Sequence, residues 1–271
     1  MMGENKLWIG FDLGGTKMLS GAFDGQLDWL AREKRKTRAA EGVDSVVKRI
    51  LSVIEKTIEK SGQSSKQLQG VGIGVPGTID LQKGVVLEAP NLGWEKVPLK
   101  QCIQDHFNCP VTLCNDVDSG LFGEYALGSA QGAHSVVGIF PGTGVGGACV
   151  IEGKLLQGRR RTAMEIGHVP FGNGGPLDGA GKPGTLETVA SRLAISAAAA
   201  QAAFRGAAPA LNSMSGTDLS EIRSGVLAKA IAQGDVAVET IVQHAAKSIG
   251  KAAVALIHLF SPDLIILGGG L

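Results

Sequence analysis

The stretch Leu7-Trp-Ile-Gly-Phe-Asp12-Leu-Gly14-Gly15-Thr16-Lys17-Met-Leu-Ser-Gly-Ala-Phe-Asp24 leaves its part of the chain few ways to fold. An apolar run, a tight glycine turn carrying a threonine and a second small-residue run read as a strand hairpin. The pattern returns half a chain later, at Val137-Gly-Ile-Phe-Pro-Gly142-Thr143-Gly144-Val-Gly146-Gly147-Ala-Cys-Val-Ile-Glu-Gly153. Glycine permits positive φ and close backbone approach, and successive N–H groups in such a turn form an anion-binding concavity. Two such hairpins predict an internally duplicated fold with one phosphate-holding turn in each half. A plain turn is the competing reading for either one alone. Neither turn ends in the Gly-Lys-Ser/Thr of a P-loop, and neither opens a helix as a dinucleotide fingerprint does.

The rest of the chain supplies the layers around these hairpins. Val43, Val46, Val47, Ile50, Leu51, Ile54 and Ile58 recur at helical spacing over residues 42–61, and Gly70–Val75 follows as a buried strand. A hairpin, a helix and a strand in that order favour an α/β class. Pro98–Phe107 reads as a short amphipathic helix and Pro110–Cys114 as a strand that delivers Asn115-Asp116 at its carboxyl end. Ligands gather beyond the carboxyl ends of strands in open α/β sheets, so an acid there is a site candidate. An Asx cap for the segment after Asp118-Ser119 is the alternative. Residues 87–94 read as a loop in which Asn91 serves turn chemistry or a polar ligand. Glu165-Ile-Gly-His168 is open to three readings: ordinary strand-end residues, a metal pair, or a clamp on a polyol. Residues 189–204, 219–232 and 235–260 are expected as helices, with a loop at 212–218 between the first two. Leu264–Leu267 is a short strand leading to Gly268-Gly-Gly270, either bare backbone for a nucleotide or a flexible end.

Composition excludes several classes. A chain of 271 residues holds one large domain or two modest ones, and its forty glycines are dispersed among apolar segments, which signals tight turns rather than disorder. A net charge of +1 gives no electrostatic case for nucleic acid or an anionic membrane. The basic run Ala31–Arg38 is interrupted by Glu33 and reads as a solvated strand end; Arg159–Arg161 read as a solvated loop or a phosphate contact. The start leads directly into a strand, with no secretory segment and no apolar span of about 18 residues. Cys102, Cys109, Cys114 and Cys149 lack metal-type spacing and are expected as reduced thiols in a cytoplasmic protein.

Asp12-Leu-Gly-Gly-Thr-Lys17 and Gly142-Thr-Gly-Val-Gly-Gly147 resemble the two phosphate turns of the actin-like sugar-kinase superfamily. Within it the chain is most similar to the ROK family of bacterial glucokinases, other sugar kinases and sugar-responsive repressors, and the resemblance covers essentially the whole chain. Asn115-Asp116 with Gly123-Glu124 fits the family's pattern, although Val117-Asp118 stands where alanine and asparagine are more usual. The resemblance implies a two-lobed actin-like (ribonuclease H-like) ATPase fold of duplicated mixed sheets flanked by helices. Its small lobe would be residues 1–116 and its large lobe 117–271, the latter truncated relative to a family that usually ends some tens of residues later in a helix. It also implies ATP- and Mg²⁺-dependent phosphorylation of a hexose, glucose to glucose 6-phosphate first, in a homodimer. Asp116 would be the general base, and Asn91, Asn115, Asp116, Glu165, His168 and Glu187 the sugar ligands. Asp12, Gly14, Gly15, Thr16 and Lys17 would surround the transferred phosphoryl, with Asp12 holding Mg²⁺ through water. Gly142, Thr143, Gly144 and Gly146 would hold the nucleotide's phosphates, and Gly268, Gly269 and Gly270 its adenosine. N-acetylmannosamine or another hexose could replace glucose, and polyphosphate could replace ATP. A non-catalytic sugar sensor is the other class; a DNA-binding repressor would need a helix-turn-helix where only about six residues precede the first hairpin.

In one segment the resemblance fails. The family usually runs Cys-x-Cys-Gly-x-x-Gly-Cys-x-Glu, whose thiolates join the histidine around a structural zinc. This chain has Asp178-Gly-Ala180-Gly-Lys-Pro-Gly184-Thr185-Leu-Glu187. Alanine cannot ligate and threonine is a poor partner for zinc, so no structural zinc is expected. Glu187 is kept as a sugar ligand, with Thr185 capping its helix.

Overall fold

A computed structural model describes residues 6–158 and 163–270, so Arg159–Arg161 lie outside the described residues. The first hairpin forms as its pattern requires. Strand β1 (Leu7–Leu13) pairs antiparallel with β2 (Lys17–Phe23), Trp8 opposite Phe23 and Leu13 opposite Met18. Leu7, Ile9, Phe11 and Leu13 face the core, and the two-residue period of a strand turns Asp12 to the other face. Strand β3 (Trp29–Lys36) closes this edge of the sheet with a row of charges, which discourages further pairing. The chain then crosses through α1 (Val43–Lys60) to β4 (Leu68–Val75), parallel to β1. Val46, Ile50, Val53, Ile54 and Ile58 on α1 are buried, as their helical spacing demands.

A small antiparallel sheet follows, made of β5 (Thr78–Asp80), β6 (Val85–Ala89) and β7 (Trp94–Val97). Residues 87–94 are therefore not one loop: they are the hairpin joining β6 to β7, with Ala89 opposite Trp94. Turn formers at 90–93 mask strands too short to show their own period. Helix α2 (Leu99–Phe107) leads to β8 (Val111–Asn115), parallel to β4, and α3 (Asp116–Leu127) follows at once. The strand order is β3-β2-β1-β4-β8.

The second sheet repeats the scheme. Strands β9 (Ser135–Pro141), β10 (Val145–Ile151) and β11 (Lys154–Leu155) run antiparallel in succession. Helices α4 (Glu187–Ala190), α5 (Arg192–Phe204), α6 (Pro209–Ser215), α7 (Ser224–Ala232) and α8 (Val236–Phe260) then return the chain to β12 (Leu264–Leu267), parallel to β9. The order β11-β10-β9-β12 matches β3-β2-β1-β4, which is the duplication the two glycine turns predict. The chain forms two compact units, one ending at Gly120 and the other beginning at Leu121.

Three helical expectations need correction. The helix expected over 189–204 breaks at Ser191, whose hydroxyl caps α5 by accepting from Ala194 N–H. Helix α7 begins at Ser224, not at residue 219. Residues 212–215, read as loop, belong to α6. Its free N–H groups at Ala210 and Leu211 are taken by the buried carboxylate of Asp235, 3.1 and 2.7 Å away, so the cap lies outside its own segment. Glu33, read as an interruption in a solvated strand end, is buried and takes bonds from Arg35 Nε at 2.6 Å and Lys60 Nζ at 2.5 Å. Among the described residues no helix is long and apolar enough to cross a membrane.

Candidate active site

The first turn, residues 14–16, is closed by Gly14 N–H donating to Lys17 O at 3.0 Å. Neither Gly14 nor Gly15 lies in the left-handed region, so backbone freedom is not why glycine stands here. Close approach is the reason. A Cβ on Gly15 would stand 2.9 Å from the carbonyl oxygen of Asn91 and 3.1 Å from its Cβ. Asn91 rides at the exposed tip of the β6–β7 hairpin, steadied by buried Ala89 before it and buried Leu92 and Trp94 after it. The structure thus brings Asn91 against the first turn. Behind the turn sits Thr37, fully buried, whose N–H donates to Thr16 O at 2.9 Å and whose hydroxyl donates to Gly14 O at 2.5 Å. Its only signal in the sequence is an uncharged residue within a basic run.

Two carboxylates face this region of the first unit. Asp12 is opposite Gly74 on β4, Gly74 is opposite Cys114 on β8, and Asp116 begins α3 two residues on. Gly74 puts no side chain in this row, and a Cβ there would come within 3.5 Å of Asp116 Cα. Burial pushes the Asp116 carboxyl above the usual carboxylate range; the bond from Val117 N–H opposes this and the charge of Asp12 adds to it. Asp12 is raised as well, by desolvation, with Lys34 pulling the other way. Lys34 faces Asp12 because Asp12, Leu19 and Lys34 are cross-strand partners in one row. A raised pKa makes Asp116 a stronger base, and a divalent cation would relieve the charge of Asp12 that acts on it.

Asn115 supplies the helix cap. Its Oδ1 accepts from Val117 N–H at 2.9 Å and Asp118 N–H at 3.2 Å, so α3 starts at Asp116 rather than after Ser119. Its Nδ2 stands 3.4 Å from Gly77 O and remains the part of this side chain directed elsewhere.

The second turn is closed by Gly142 N–H donating to Gly144 O at 2.8 Å, again without left-handed glycine. Here the close neighbour is an acid: a Cβ on Gly144 would overlap Glu187 Oε2. Glu187 takes Val145 N–H on Oε2 at 3.0 Å and Gly179 N–H on Oε1 at 2.8 Å, so both oxygens of this expected sugar ligand hold backbone. Arg192, which sequence reasoning missed, donates its backbone N–H to Gly142 O at 2.8 Å and Nη2 to Thr143 Oγ1 at 2.8 Å. Gly268–Gly270 lie beside the same turn. Gly268 N–H donates to Ile139 O at 3.1 Å, Ser224 Oγ donates to Gly270 O at 3.0 Å, and a Cβ on Gly269 would overlap Pro141 O. This is a held turn, not a flexible end.

Glu165 is exposed at the start of the short turn that carries His168. His168 Nδ1 lies 2.7 Å from Asp178 Oδ2, and Thr185 Oγ1 donates to the same oxygen at 2.9 Å, so Thr185 is not a helix cap. These groups do not fit zinc: Ala180 offers no ligand, and the nitrogen and oxygens at hand are bonded to one another. Among the described residues no three His, Cys, Asp or Glu side chains converge on a metal position.

Two sheets of one strand order, each opening on a glycine hairpin, define an actin-like ATPase fold. The ROK family's sequence pattern matches residues 8–271, and the chain belongs to that family. It is 33% identical over 268 residues to the glucokinase of Streptomyces coelicolor, spanning 98% of this chain and 82% of that one. It is 29% identical over 262 residues to a xylose repressor of Caldicellulosiruptor bescii, spanning 96% of this chain and 65% of the repressor. The crystal structure of a ROK family glucokinase from Streptomyces griseus in complex with glucose and AMPPNP superposes with a TM-score of 0.83 at 33% identity, covering 97% of this chain and 83% of the other.

Proposed function

We propose that the protein is an ATP-dependent sugar kinase whose acceptor is a hexose, glucose before N-acetylmannosamine or other hexoses. The observation that carries the reading is Asp116, a carboxylate of raised basicity beside Asp12 and in the unit that holds the first glycine turn. Asp116 accepts the proton of the attacking hydroxyl. Asp12 would hold the Mg²⁺ that accompanies ATP, which would supply charge neutralisation for the phosphoryl group. Backbone N–H groups of Gly15 and Thr16, with the turn residues Gly14 and Lys17, approach that group, while Asn91, the Asn115 amide, Glu165 and His168 contact sugar hydroxyls. Glu187 fixes Val145 beside the second turn, and the remaining lone pairs of its carboxylate take a sugar hydroxyl.

In the second unit Gly142, Thr143, Gly144 and Gly146 hold the donor's phosphates. Gly268, Gly269 and Gly270 present bare backbone to adenosine, which favours ATP over polyphosphate. The glucokinases among the relatives support this assignment.

Similarity to a xylose repressor favours a second reading, a sugar sensor without catalysis. A coupled ADP-release assay over a hexose panel, with Asp116→Ala as the blank, separates the two. Sugar-dependent ADP release that disappears in the variant is the expected result. Sugar binding by calorimetry without turnover selects the sensor. A homodimer belongs to the same proposal and is read by light scattering.

A further inference from the structure

The strongest unexplained feature of the second unit is the environment of Asp178. Its side chain is wholly buried, although the flanking Gly179, Ala180 and Gly181 are exposed. Four donors converge on it. Oδ2 receives His168 Nδ1 at 2.7 Å and Thr185 Oγ1 at 2.9 Å; Oδ1 receives Ala180 N–H at 2.9 Å and Lys182 N–H at 2.8 Å. The loop is tied by its backbone too, Asp178 N–H donating to Lys182 O at 2.9 Å and Phe171 N–H to Gly184 O at 2.8 Å. The neighbouring Gly179 N–H reaches Glu187, which in turn holds Val145 beside the second turn.

We propose that Asp178 is a positioning residue: a carboxylate-centred clasp that closes the 165–187 segment without metal and presents His168 Nε2 as a hydrogen-bond acceptor. Burial alone would raise its carboxyl; the bonds from Lys182 N–H, His168, Thr185 and Ala180 N–H overcome that and hold it well below the usual carboxylate range. An ionised carboxylate only accepts, so Nδ1 of His168 is the donor. In the neutral ring Nε2 then carries a lone pair, suited to a ligand hydroxyl. A metal bound through these residues would have to break the bonds that form the clasp. An amide could not replace it either. The two backbone N–H groups would hold the one acceptor atom of asparagine, and its NH₂ group would then turn His168 to the other tautomer, with Nδ1 accepting and Nε2 protonated.

The choice of a sugar as the ligand of His168 rests on the kinase reading; the metal-free clasp does not. Three measurements on the full chain and its Asp178→Asn and Thr185→Val variants test it. Metal analysis of the purified protein should find far less than one zinc per chain, and excess chelator should leave the melting temperature unchanged. Nitrogen-15 spectra of histidine-labelled protein, with His168 assigned by His168→Gln, should show Nδ1 protonated and Nε2 bare. That signature should be lost in Asp178→Asn and kept in Thr185→Val, which removes one donor but not the acceptor. Glucose affinity should weaken roughly tenfold or more in Asp178→Asn and less in Thr185→Val, as expected for losing bonds to a charged group. Stoichiometric zinc whose removal melts the protein would overturn the proposal. So would a protonated Nε2 in the unaltered chain, or a tautomer indifferent to Asp178→Asn. Failure of the kinase reading alone removes the glucose result and leaves the metal and tautomer results standing.

Discussion

In the first unit the glycine turn is backed by Thr37, fully buried and neutral, and pressed by the backbone of Asn91. In the second it is backed by Arg192, a partly exposed cation, and pressed by the carboxylate of Glu187. The strand order around the two turns is the same, so the sheet does not dictate the difference. The braces do. Near the neutral brace no guanidinium among the described residues meets the turn, and burial keeps Asp12 and Asp116 harder to ionise, with Lys34 opposing this at Asp12, which suits a base and a cation site. A cationic brace brings a guanidinium to Thr143 of the second turn, a group suited to the phosphates of a donor. One hairpin design thus serves two tasks through residues that touch it from elsewhere in the chain.

The sharpest way to break this contrast is Asp116→Asn. Turnover should fall by about 10²–10⁴-fold or more, the usual worth of a general base, with sugar and nucleotide affinity nearly unchanged. The same variant should be more stable than the parent at neutral pH. Because the folded-state pKa lies above the unfolded one, the native protein binds more protons through that window, and stability falls as pH rises through it. Thermal melts should therefore show the gain at neutral pH and its disappearance below the unfolded-state pKa.

Arg192→Ala should raise KM for the nucleotide roughly tenfold, the cost of a bond from a charged donor, with little change in KM for sugar in steady-state assays. Gly144→Ala should cost about 1–3 kcal/mol by forcing Glu187 aside, and much less in a Glu187→Ala background. A double-mutant cycle by denaturant unfolding reads that coupling; additive effects would dissolve the Gly144–Glu187 contact. Thr37→Val should cost about 1 kcal/mol in the same measurement, by leaving the Gly14 carbonyl without one of its donors.

Legibility in the sequence followed the range of the interactions. Strands β1, β2, β9 and β10 and helices α1, α2 and α8 were readable because their signals are periodic and local. Asn91, Asp116 and the two glycine turns were readable as candidates because their residue types stand at strand ends and turns, whereas Asp12 entered through the family resemblance. Thr37 and Arg192 were not, since their partners lie 23 and 49 residues away. Helix α6 was hidden for the same reason, its cap being Asp235, 24 residues beyond Leu211. Asp178 showed itself as a departure from the family's cysteine pattern, but only the folded loop reveals four donors meeting on it.

The contrast between the turns is tested most directly by single-turnover phosphoryl transfer at saturating MgATP and glucose, run side by side on Asp116→Asn and Arg192→Ala. The account predicts that Asp116→Asn binds both ligands and transfers at least about 10²-fold more slowly than the parent. It predicts that Arg192→Ala transfers at close to the parent rate once the nucleotide is saturating. Transfer retained in Asp116→Asn, or lost in saturated Arg192→Ala, would contradict the division of catalysis and donor binding between the two turns.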